Sequence, residues 1–186
     1  MERRIILSGL VLGLLAVAVY SFEPPCGDEV EEYFNYYNTT LGYIATTEGM
    51  LPFETFLVNQ AEYDINNYCV REDIPWRLYF QIECAEGQAQ NAFDLTQQFA
   101  DKDIQLVGGY GWSSFLCSGA RKIAKENNMT LLSKGSTSPL MATPDNAFRL
   151  CVNDLKQVDP ILSMFDDFGY ESVLIISRED AWADGL

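Results

Sequence analysis

The sequence predicts an α/β domain, a parallel sheet with helices on both faces. Three observations lead there. Short apolar runs of strand length alternate with segments whose apolar residues recur every three or four positions. The runs are apolar nearly throughout, as strands covered on both faces are. Glycine and hydroxyl residues cluster just after the runs, where strand-to-helix loops belong.

Leu41 to Thr46 (LGYIAT) reads as the first strand. Phe53, Leu57, Ala61 and Ile65 then recur every four residues and give one apolar helix face. Arg77 to Glu83 is the second strand, and Ala89, Ala92, Phe93, Thr96 and Phe99 mark the second helix. Ile104 to Gly109 is the third strand. Leu116, Ala120 and Ile123 mark the third helix, with Arg121, Lys122 and Lys125 toward the end where the dipole favours cations. Met129 to Ser133 is the fourth strand. Leu155, Val158, Leu162 and Phe165 mark a fourth helix ending at Gly169, and Ser172 to Ser177 (SVLIIS) is a last strand. Right-handed crossovers put every strand-to-helix loop on the carboxyl edge of such a sheet, where ligands of open α/β folds bind.

Bulk properties exclude some functions. The formal charge of −15 argues against nucleic acid and against an anionic membrane surface as partners. The chain has no histidine, so the commonest zinc ligand and general base is missing, and no metal or cofactor is expected. Neither GxGxxG nor GxxxxGK[ST] occurs, which weakens nucleotide binding, and without GxSxG a hydrolase is disfavoured. Glu48 and Glu86 are loop carboxylates that could serve as acid and base, but surface charge is the plainer role.

Arg3 and Arg4 precede an almost wholly apolar run from Ile5 to Phe22, the pattern of an export signal and long enough for a membrane anchor. Residues 1–22 are read as one of these, the chain's sole contact with a membrane. Residues 23–40 form an acidic spacer. The five cysteines (26, 69, 84, 117 and 151) show no metal spacing, and an oxidising compartment would permit one disulfide. Asn38-Thr39-Thr40 and Asn128-Met129-Thr130 are sequons compatible with export.

The edge loops begin at Thr46, Cys84, Gly108 and Lys134. In the third (GGYGWSS), glycines turn the backbone and Ser113 or Ser114 caps the helix, where free amides attract a carboxylate. In the fourth (KGSTSP), hydroxyls can donate to the same anion. Each feature has a plainer reading as a cap, a turn or a packed tryptophan; their convergence carries the argument.

The order of strand, Thr-Glu-Gly loop, helix ending Asp64-Ile65-Asn66, then Gly-x-x-Ser-Ser and Ser-x-Gly-Ser-Thr-Ser-Pro resembles the substrate-binding proteins of branched-chain amino acid ABC importers, with the type I periplasmic-binding fold. Phe148-Arg149-Leu150, Val173 to Ile176 and Trp182 to Leu186 extend the resemblance, which covers roughly residues 41 to 186. It implies a ligand-binding first lobe over 41–150, and a hinge crossing with the start of a second lobe over 151–186. It also implies an exported, non-catalytic protein that holds a small polar ligand such as an amino acid and delivers it to a membrane permease. A receptor ectodomain of the same fold is the alternative. By resemblance Ser114, with Ser113 beside it, binds the ligand carboxylate. Gly135, Ser136 and Thr137 supply further contacts, and Phe53 and Trp112 line the cleft. Cys84 matches a family cysteine whose usual partner position is Trp112 here, leaving Cys117 as the candidate partner for a disulfide.

Overall fold

Five parallel strands form one sheet in the order β2-β1-β3-β4-β5. They are β1 (Tyr37–Ala45), β2 (Trp76–Cys84), β3 (Leu106–Gly109), β4 (Thr130–Ser133) and β5 (Ala147–Arg149). This computed structural model describes residues 36–177, 179–181 and 183. The apolar run Ile5 to Phe22, Cys26, most of the acidic spacer and most of Trp182 to Leu186 lie outside them. Strand β1 starts at Tyr37, so the last residues assigned to the spacer already pair with β2.

The chain steps from β1 outward to β2 and then back past β1 to β3. Right-handed crossovers therefore put α1 (Leu51–Arg71) and α2 (Ala89–Asp101) on opposite faces. The reversal opens a crevice at the carboxyl ends of β1 and β3. On the α2 face the core is apolar: Ile44, Val107 and Leu131 cluster with Ala92, Phe99, Leu116, Ala120 and Ile123. Gly42 keeps this face flat, since a Cβ there would lie 3.1 Å from Phe99 and Val107. The helix after β3 runs as α3 (Ser113–Phe115), a π turn (Leu116–Ala120) and α4 (Arg121–Glu126). Gly119, at φ 118, absorbs the irregularity.

Three expectations are corrected. The Phe53, Leu57, Ile65 stripe of α1 points outward, with those residues 58%, 48% and 41% exposed. The inward face is mixed: Glu54, Val58 and Cys69 are buried, and polar residues beside them serve β2, an edge strand whose outer groups need partners. Glu62 accepts the Phe80 amide at 2.8 Å, and Asn66 bonds both the amide and the carbonyl of Leu78 at 2.8 Å. Glu54, also inward, accepts from the Tyr43 hydroxyl and pairs with Lys134. Secondly, Ser172 to Ser177 forms no strand; Leu174, Ile175 and Ile176 are more than four-fifths exposed. A strand needs a neighbour, and no described strand lies beside this one. The first-lobe sheet ends with β5 instead. Finally, the helix α5 (Val158–Phe168) forms where periodicity put it and stops at left-handed Gly169, but it buries none of its residues.

Candidate functional site

All four edge loops touch. The Gly87 amide donates to the Thr46 carbonyl at 2.8 Å, tying the loop after β2 to that after β1. Trp112 packs against Gly87, where a Cβ would sit 3.3 Å from its ring, and against Phe115 at 5.5 Å between centroids. A Cβ on Gly111 would collide with the Thr46 side chain, and one on Gly135 would lie 2.5 Å from the Gly111 carbonyl oxygen. Glycine at these two positions lets three backbones close on one point.

The segments 113–114 and 135–137 meet at this point, but their polar groups divide into two kinds. Ser113 and Ser136 are wholly buried and turned inward. Ser113 Oγ accepts the Ser138 amide at 3.1 Å, and Ser136 Oγ donates to the Tyr110 carbonyl at 3.0 Å. They staple the loops together, so the expected helix cap does not form; Trp112 is the N-cap residue and makes no side-chain cap. The amides of Gly135 and Ser136 are likewise turned inward, to Ser133 Oγ at 3.4 and 2.9 Å. Ser114 is half-buried, and its hydroxyl has no partner among the described residues. Thr137 Oγ1 is buried and has no hydrogen-bond partner among the described residues.

One residue of the site carries no sequence signal. Asp154 is 2% exposed, and its amide donates to the Thr137 carbonyl at 3.0 Å. Oδ1 accepts from Gln157 at 2.8 Å, while Oδ2 is buried with no hydrogen-bond partner among the described residues. Arg149 does not neutralise it by hydrogen bonding: its Nη1 spans the carbonyls of Ser136, Thr137 and Ser138 at 3.5, 3.2 and 2.8 Å. A buried carboxylate oxygen without a donor calls for a cation. The backbone bond joins Asp154 to Thr137, whose own Oγ1 is the other unpartnered oxygen at these loops. A periodicity search passes over a single Asp between Asn153 and Leu155; only the fold brings it against Thr137.

The remaining expectations fall outward. Phe53 is 58% exposed on α1. The cysteines at 69, 84, 117 and 151 are all free thiols, so Cys84 and Cys117 are not joined. Cys84 Sγ instead accepts the Glu86 amide at 3.4 Å, and the Cys117 thiol lies in the π turn. Burial pushes the Cys117 thiol up, against the opposing pull of Arg121. Among the described residues no group of three metal-ligating side chains gathers, and no helix is long and apolar enough to cross a membrane.

Comparison with known proteins agrees with this architecture. Residues 58–186 match the family model described as the receptor family ligand binding region. An uncharacterised protein of Methanocaldococcus jannaschii is 24% identical over 140 residues, which is 72% of this chain and 33% of that protein. An ABC transporter substrate-binding protein from Desulfitobacterium hafniense, solved in complex with Leu, superposes with a TM-score of 0.61 at 20% identity. The match covers 80% of this chain and 44% of that one. The leucine binding protein LivK of Thermotoga maritima gives 0.61 at 15% identity, over 80% of this chain and 43% of that one. These likenesses establish the fold, a type I periplasmic-binding lobe. The chain spans a third of the curated relative it matches and under half of each of these two solved structures.

Proposed function

From the premise that this chain belongs to the family of receptor ligand-binding regions, we propose that it forms the first lobe of an extracytoplasmic solute-binding protein that holds an amino acid by both charged ends. The carrying observation is the pair of buried, unpartnered oxygens, Thr137 Oγ1 and Asp154 Oδ2, on residues joined by a backbone hydrogen bond. The Thr137 and Ser114 hydroxyls donate to the carboxylate, and Asp154 accepts from the ammonium. Charge-assisted hydrogen bonds of this kind contribute about 1.5–3 kcal/mol each. Trp112 forms one wall, and the second lobe closes over the solute by hinge motion about residues 150–153. The closed form is read by an ABC permease, and the run Ile5 to Phe22 directs export or anchors the protein.

The arrangement serves binding rather than catalysis. The family description and the solved relatives are of ligand-binding proteins, which supports that reading. The family description favours one further reading, a receptor ectodomain in which closure signals across the membrane. Its ligand chemistry is the same.

Calorimetric titration of the full chain with a panel of L-amino acids tests the proposal. An affinity on the order of micromolar, about −8 kcal/mol, is expected for at least one of them. No heat of binding from any member of the panel would remove the amino-acid reading while leaving the fold intact.

A further inference from the structure

One carbonyl organises the turn that bears Thr137. The oxygen of Tyr110 accepts two buried hydroxyls, from Ser133 at 2.7 Å and from Ser136 at 3.0 Å. Ser133 Oγ also accepts the Ser136 amide at 2.9 Å and the Gly135 amide at 3.4 Å. Tyr110, Ser133 and Ser136 have no exposed surface. The carbonyl is aimed by a left-handed backbone, φ 45 at Tyr110. A bulky side chain adopts that conformation only where its surroundings impose it. Here the ring imposes it: the Tyr110 hydroxyl lies 2.8 Å from Thr96 Oγ1 on α2. Thr96 gives its own proton to the Ala92 carbonyl at 2.6 Å, so Tyr110 is the donor of the pair.

We infer that Tyr110 and Ser133 are positioning residues of the solute site, a relay running from α2 through the Tyr110 carbonyl to the turn 135–137. The inference rests on the amino-acid reading above. Neither residue reaches the solute; both act through Thr137. Residues 135–138 are held from two sides, their amides by Ser133 and Ser113 and their carbonyls by Arg149. What remains unbonded is the Thr137 hydroxyl, fixed in place before the solute arrives. A donor fixed in advance loses little freedom on binding, which is where such a relay gains affinity.

The test uses Ser133→Ala in the full chain, with Ser136→Ala as a second variant that removes the other hydroxyl from the same carbonyl. Amide hydrogen exchange is followed without solute, and titration uses L-leucine first, then the remaining panel, keeping the tightest binder. Exchange over residues 135–138 is expected to accelerate about tenfold or more while β1 is unchanged. Affinity is expected to fall about tenfold in the wild-type background and under about twofold in Thr137→Val, because a residue acting through Thr137 then has nothing left to position. Equal losses in both backgrounds, or unchanged exchange in both variants, would overturn the relay. A wild-type chain that binds no amino acid overturns the site reading and this role together. A wild type that binds while both variants match it overturns the relay alone.

Discussion

Among the described residues, Thr137 and Asp154 each keep a buried oxygen without a hydrogen bond, an arrangement that costs the fold about 1–3 kcal/mol per group. A site that binds a zwitterion recovers that cost on binding, so stability and function should separate on mutation. Thr137→Val is expected to raise the solute-free Tm, worth up to about 1 kcal/mol, while weakening amino-acid binding about tenfold; scanning calorimetry and titration read the two effects. Asp154→Asn removes the partner of the ammonium and should weaken binding about a hundredfold in the same titration. Gly135→Ala drives a Cβ against the Gly111 carbonyl and should cost about 1–3 kcal/mol in denaturant unfolding. The sequence pointed to loops that meet in the fold but not to the roles within them. Ser113 and Ser114 read alike as letters, yet one is buried on the Ser138 amide and the other has a hydroxyl without a partner among the described residues. Only the fold decides which hydroxyl turns inward.

The strand-helix alternation was legible because each strand is a run of apolar residues and each loop a cluster of glycine and hydroxyls. Helix α1 shows where legibility stops. Its period of four was read correctly, but a second stripe with the same period, Glu54, Val58, Glu62 and Asn66, is mostly polar. The edge of β2 selects the polar one, since unpaired amides there are satisfied by Glu62 and Asn66. Glu62→Ala or Asn66→Ala should therefore destabilise the domain by about 1–3 kcal/mol, while Leu57→Ser on the outer face should cost under about 0.5 kcal/mol. Urea unfolding distinguishes the two; the opposite ranking would restore the apolar face as the packed one. The run Ser172 to Ser177 has strand composition without strand structure, because pairing depends on a neighbour and not on the segment itself.

Across the molecule, four buried or half-buried acids should set the alkaline limit of stability. Burial raises Tyr110, and burial together with Glu54 raises Tyr43, above the ordinary 10.0. Burial likewise raises Cys117 and Cys151 above 9.0. Their neutral forms are favoured in the folded state, so the native chain holds more protons than the unfolded one. This contribution is complete below the ordinary values and is lost as pH rises through the higher native ones. Tm should hold up to about pH 9 and fall progressively above it, readable by circular dichroism. The same whole-molecule logic links topology to loops: one reversal of strand order opens a crevice, and four loops close around it. The most direct measurement titrates the full chain with its best-bound amino acid, then with the same molecule lacking its amine, and then lacking its carboxylate. Loss of about a hundredfold or more for each truncated analogue is the predicted result. An analogue that binds as tightly as the parent would contradict recognition of both charged ends.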